Sequence, residues 1–171
     1  MNVLLPGAAL LLLATTAAET RVTVPGTGVS LSLPAGFVPM PADVIALKYS
    51  RGGTPPSHVY STPGPSWAAN IAFALRDVKL PPGSLAPTQA SLERSFAGAP
   101  GLRWVERGVK RVGNRDWIIL RLWVDGLDQP IYNHLRVTRE GDKTLLVTAN
   151  VTKTLYPQYA AKLDAAMNSL R

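Results

Sequence analysis

Cysteine is absent from the 171-residue chain, and the absence removes several chemistries at once. Disulfides, thiolate nucleophiles, Cys-ligated zinc and iron–sulfur clusters each need a thiol. A lipidated-cysteine anchor is excluded on the same ground. Histidine is nearly absent too. His58 and His134 are the 2 in the chain; they stand in different halves, and neither has an acid at ligand spacing, whereas a metal site takes three or four ligands. Both read as ordinary strand residues, His58 near an edge and His134 on the polar side of its strand. No metal or other cofactor is expected.

Motifs for common catalysis are missing as well. There is no Gly-x-Ser-x-Gly elbow for a serine nucleophile and no Gly-x-x-x-x-Gly-Lys loop for phosphate. Asp125 and Asp128 bracket a Gly-Leu turn, where acids are favoured for local hydrogen bonding rather than for glycoside cleavage. Asn150-Val-Thr152 has the form of a glycosylation sequon but falls inside an expected strand, which discounts it. The sequence therefore points away from an enzyme.

Long apolar runs are confined to the beginning of the chain. Residues 1–18 carry no charged side chain, and their Leu-rich stretch gives way to Thr15, Thr16, Ala17 and Ala18. That is the pattern of a signal peptide cut near Ala18, shorter than the roughly 20 apolar residues of a membrane span. The expected mature domain, residues 19–171, is then periplasmic or secreted, with no transmembrane span after cleavage. It carries the whole formal charge of +7, which favours polyanions, anionic surfaces or an acidic partner without choosing among them.

What is present is an alternating pattern. Val29, Leu31 and Leu33 alternate with serines until Pro34-Ala-Gly36 stops the strand. Short strands are expected at residues 45–50 and 58–61, and a further strand at residues 70–78. Leu92 and Phe96, four apart, mark a helix over residues 88–97. Four strands follow, at residues 102–112, 115–124, 131–138 and 143–152. The last element is a helix from Pro157, with Leu155, Tyr159, Leu163 and Met167 on one stripe.

Turn chemistry sets the expected registers. A two-residue loop at Gly113-Asn114 places Trp104 opposite Trp123, Val105 opposite Leu122 and Glu106 opposite Arg121. A three-residue loop at Glu140-Gly141-Asp142 places Val137 opposite Leu145, Leu135 opposite Val147 and Ile131 opposite Val151. The strand after Asp116 is apolar on both faces and belongs mid-sandwich. With no repeat or linker to divide it, the chain after the signal reads as one α+β domain, an antiparallel β-sheet meander flanked by helices.

The element order, the opening Gly28-Val-Ser-Leu-Ser-Leu-Pro-Ala-Gly-Phe37, the aromatic strand Arg115-Asp-Trp-Ile-Ile-Leu-Arg-Leu-Trp123 and a closing helix ending Met167-Asn-Ser-Leu170 resemble the PsbP-like superfamily. That group includes extrinsic photosystem II subunits, Ran-binding nuclear import factors and DcrB-type bacterial envelope proteins. The resemblance implies an α/β/α sandwich and roles in binding or assembly more than in chemistry. It supplies no catalytic residues to carry over. The chain departs from the DcrB type in lacking the lipid-bearing cysteine.

Two candidate partner-binding surfaces emerge. One is basic and aromatic: Arg103, Arg107 and Arg111 alternate on one strand, and the opposite face carries Trp104, Lys110, Trp117, Arg121 and Trp123. The tryptophans serve equally well as core, with Arg121 paired to Glu106. The other is the Pro-rich tract from Thr54 to Trp67, with Tyr60 and Trp67 as its aromatics. The leading expectation is a non-enzymatic envelope protein acting through a protein partner, as a toxin-neutralising or assembly factor. The alternatives are binding of an anionic envelope polymer or lipid through the arginine row, and an unrecognised hydrolase involving His134. No specific nucleic acid partner is expected.

Overall fold

Strands with two apolar faces need cover on both sides, and the fold supplies it. The computed structural model describes residues 20–50, 53–64 and 67–171, so the expected signal segment lies outside the described residues. A short hairpin, β1 (Thr20–Thr23) and β2 (Ser30–Leu33), stands apart from the main sheet. The chain continues through β3 (Val38–Pro39), α1 (Ala42–Lys48), β4 (His58–Ser61), β5 (Ala69–Arg76) and α2 (Ala86–Phe96). Four long strands follow, β6 (Arg103–Val112), β7 (Arg115–Asp125), β8 (Pro130–Glu140) and β9 (Lys143–Thr152), and α3 (Tyr156–Asn168) closes the chain. The main sheet is antiparallel in the order β3-β4-β5-β9-β8-β7-β6.

The α+β class and the meander of β6 to β9 agree with the sequence reading, and three local features differ. The segment expected as a strand at residues 45–50 belongs mostly to helix α1. Pro41 caps its start, and Val44, Ile45 and Tyr49 turn one flank toward Met40, Val59 and Ala72. A short apolar run fits helix and strand alike by periodicity. The second difference lies at the β8–β9 turn. Glu140 pairs with Lys143, so the loop is the two residues Gly141-Asp142, and Val137 faces Leu146, Leu135 faces Thr148 and Ile131 faces Thr152. Gly141 takes φ +62°, the value Gly113 takes in the β6–β7 turn. The left-handed glycine lets the shorter loop close.

The third difference is a β-bulge. The β6–β7 register runs as expected from Val112↔Arg115 to Glu106↔Arg121, then slips, so that Trp104 faces Leu122 and Arg103 faces Trp123. The extra residue on β6 swaps the faces of Arg103 and Trp104 relative to the regular alternation.

The sheet thus separates two layers. On one face Trp117, Ile119, Tyr132, Val147 and Phe73 form the larger core with the β1–β2 hairpin and with Leu163 and Met167 of α3. The C-terminus holds that layer shut: Ser30 and Arg171 exchange two backbone hydrogen bonds, and the Ser32 amide donates to Ser169 Oγ at 2.7 Å. On the other face two smaller cores lie side by side. Leu92 and Phe96 of α2 pack on Ile118, Leu120 and Leu122, while α1 packs on Val59 and Ala72. Between those two cores the sheet face is polar.

Candidate functional site

The basic and aromatic residues singled out in the sequence do not share one surface. Trp117 is 1% exposed within the larger core. Trp123 packs its ring 4.8 Å from Tyr156 and 5.5 Å from Tyr132, closing the end of that core. Trp104, moved by the bulge, meets Phe96 edge to face at 6.2 Å on the α2 side. The arginine row is divided in the same way. Arg103 lies over Trp123, whereas Arg107 lies over Trp104 and pairs with Glu93 at 3.2 Å. Arg111 pairs with Asp116 at 3.4 Å and donates to the Asn114 carbonyl. Of the Pro-rich tract, Tyr60 packs edge to face on Phe73 at 6.0 Å, and Trp67 packs against the α1 core.

Arg121 makes the pair with Glu106 expected from the sequence and belongs to a wider polar network under α3 that sequence spacing did not foretell. It donates through Nε to the Tyr132 hydroxyl at 2.6 Å, and its terminal nitrogens reach Asp164 at 2.6 Å and Glu106 at 3.2 Å. Burial works against its charge, yet these partners hold its pKa above the ordinary value. Asp164, from α3, also meets His134 Nδ1 at 2.9 Å. His134 is 2% exposed rather than on a polar outer side, and its Nε2 faces the Nε–H of Arg136 at 3.4 Å. A neutral ring with hydrogen on Nδ1 satisfies both neighbours. Burial first, and the adjacent Arg136, hold the His134 pKa below its ordinary value against the pull of Asp164. Both ring nitrogens are therefore occupied by protein, and the network ties α3 to the sheet. Arg136 continues it to Asn168 at 2.6 Å. No group of acids and histidines able to hold a metal ion occurs among the described residues.

The polar strip on the opposite face forms an open cleft of about 820 Å³ between α1 and the β7–β8 turn. Its floor is three asparagines on adjacent strands in direct register, Asn70 on β5, Asn150 on β9 and Asn133 on β8. Asn70 is 2% exposed and held at both polar atoms: its Oδ1 accepts from the Tyr49 hydroxyl at 3.1 Å and from Asn150 Nδ2 at 3.3 Å, and its Nδ2 donates to the Trp67 carbonyl at 3.3 Å. Burial pushes the Tyr49 hydroxyl up to about 12, so it stays protonated and donating. Trp67 holds its carbonyl there with φ at 45°, in the left-handed region that bulky residues rarely occupy. Two leucines flank the cleft in full view of solvent, Leu47 on α1 at 79% and Leu127 at the tip of the β7–β8 hairpin at 86%.

The sequence reading missed the asparagine floor and the leucine rims; it placed Trp67 in the Pro-rich candidate surface and noted Asn150 for its sequon. The available signal was asparagine inside a strand, a residue depleted from strands, three times, at Asn70 in β5, Asn133 in β8 and Asn150 in β9.

No family model matches the chain, and no curated protein sequence matches it. Solved structures do. Cyanobacterial PsbP from Synechocystis superposes with a TM-score of 0.60 at 12% identity, covering 96% of this chain and 97% of its own. LpqN of Mycobacterium tuberculosis, described as involved in cell envelope biogenesis, gives 0.57 at 13%, covering 90% and 89%. The Saccharomyces cerevisiae Ran-binding protein Mog1p gives 0.53 at 13%, covering 91% and 96%. These likenesses establish the fold.

Proposed function

We propose that this chain, whose fold is that of the PsbP-like proteins, is an exported, non-enzymatic binding or assembly protein of the bacterial cell envelope that acts through a protein partner. The observation that carries the reading is the cleft. A sheet face interrupted by an amide floor, set between two apolar cores and flanked by exposed leucines, costs packing and displays a surface suited to a partner. The His134 and Asp164 pair, the arrangement closest to a catalytic dyad, is spent on bonds that hold α3 to the sheet. The likeness to LpqN, involved in cell envelope biogenesis, and to Mog1p, a Ran-binding protein, supports a binding role in an envelope setting. Among the described residues no helix is long and apolar enough to cross a membrane.

The test is capture from envelope extract with the chain from residue 19 onward, at low and moderate salt. The expected result is a saturable protein partner retained at both, because Lys48 and Asp128 are the charged residues lining the cleft. Failure to capture one at either salt overturns the reading. Capture at low salt alone shifts it toward the basic surface.

A further inference from the structure

The cleft is more specific in its chemistry than a generic sticky surface. Resting on the reading of a protein partner, we propose that it receives an extended, uncharged peptide segment, with the asparagine floor pairing to main-chain amides and the leucine rims enclosing a large aliphatic side chain.

The hydrogen-bond inventory points to the main chain. A primary amide presents the same groups as a peptide unit, a carbonyl acceptor and N–H donors, and the two pair through complementary bonds. Asn150 spends its donors on Asn70 Oδ1 and, at 3.5 Å, on Thr148 Oγ1. Among the described residues none donates to Asn150 Oδ1. Asn133 donates once, to the Ile131 carbonyl at 3.0 Å, which leaves a second N–H and its Oδ1. Neighbouring strands thus offer an acceptor at Asn150 and a donor with an acceptor at Asn133, which is what a peptide N–H and C=O require.

The floor is also held in place before any ligand arrives. Asn70 is clamped by Tyr49 and by the left-handed Trp67, and in turn fixes the orientation of the Asn150 amide. Strain kept at a single non-glycine residue beside a cleft is the pattern of a pre-organised site. Leu47 and Leu127 argue for an aliphatic partner group, and the aromatic side chain in the lining, Tyr49, packs its ring against the α1 core instead of standing open as a platform of the kind saccharides stack on. The sheet edges are poor alternatives for an added strand: β3 is two residues long and contains Pro39, and β6 carries a bulge and a mostly basic row of charges.

A library of capped, uncharged hexapeptides, read by NMR on the asparagine side-chain amides of the chain from residue 19 onward, tests this. The expected result is saturable shifts at Asn133 and Asn150, with Leu, Ile, Val or Phe selected at one or two peptide positions. Backbone N-methylation of the selected peptide removes its donors and should weaken binding tenfold or more. The volume-conserving pair Asn133→Leu and Asn150→Leu should abolish it while cooperative melting persists; Asn133→Ala is the second variant should that pair misfold. The proposal falls if no library member shifts these amides at millimolar concentration, if the N-methylated peptide binds equally well, or if chitotriose produces the shifts and peptides do not. The two readings separate in extract. A partner held equally by wild type and by the double leucine variant removes the cleft but leaves protein binding, whereas peptide shifts without any captured partner retain the cleft alone.

Discussion

His134 shows how a single residue acquires its properties from neighbours the sequence does not place beside it. As a buried ring between a carboxylate and a guanidinium, it is most stable neutral, with Nδ1–H donating to Asp164 and Nε2 accepting from Arg136. Protonation would set an N–H against the Arg136 N–H, and burial already disfavours the charge. Its folded pKa is depressed, so the unfolded chain binds the proton more readily. The associated stability is present in full above the ordinary value of 6.5 and is lost as pH falls from there through the depressed folded value. Asp164 and Glu106, whose ordinary values are 3.8 and 4.5, are likewise depressed; burial opposes ionisation of Asp164, while Lys110 leads the causes at Glu106. Their losses begin only in more acid solution. The melting temperature of the wild type should therefore decline between pH 7 and pH 5. In His134→Gln, which keeps a donor for Asp164 and an acceptor for Arg136, that decline should be visibly shallower. Parallel melting curves for the two proteins across this range would show that another group is responsible.

At the scale of elements, the bulge in β6 decides what each side of the edge strand touches. Deleting Val105 removes the extra residue and leaves Trp104 opposite Leu122 and Arg103 opposite Trp123, so the contact of Trp104 with Phe96 survives the deletion. Removing the half-buried ring itself, as Trp104→Ala, should cost about 2 kcal/mol in urea unfolding; an unchanged midpoint would mean that α2 does not depend on it. The same bulge marks the limit of what was readable in advance. Strand alternation and turn glycines gave β6 to β9, both faces of β7 and the α3 stripe, because period and turn type are local properties. The slip at Val105 and the one-residue difference at Gly141-Asp142 were hidden because the alternative pairings also matched apolar residues. The asparagine floor was hidden for a related reason. Asn133 and Asn150 lie on the two arms of one hairpin and Asn70 lies far upstream, and their alignment exists only once β5, β9 and β8 are set side by side in the right register. In the expected β8–β9 register, Asn133 would not have faced Asn150.

For the molecule as a whole, the question is how an open sheet of this length avoids pairing with its own copies. One edge is β3, two residues long with a proline that cannot donate. The other, β6, runs for ten residues and leaves Val105 and Val109 exposed, so its protection must come from the charged residues of the strand. Arg107, Lys110 and Arg111 supply it, and each is paired on its own protein, with Glu93, Glu106 and Asp116. Their side chains are more than half exposed, where ion pairs contribute about 0–1 kcal/mol each. Their value to the fold is thus small, while an edge row of like-charged residues opposes strand addition by a second copy. Replacing all three, as Arg107→Thr, Lys110→Val and Arg111→Thr, turns the 107–112 stretch of β6 into an uncharged, largely β-branched edge. This variant should keep nearly wild-type melting when dilute yet form dimers or larger species at tens of micromolar concentration, seen by light scattering after gel filtration. A variant that stays monomeric there would move the barrier from the charges to the bulge, which the Val105 deletion, run on the same column, would then expose.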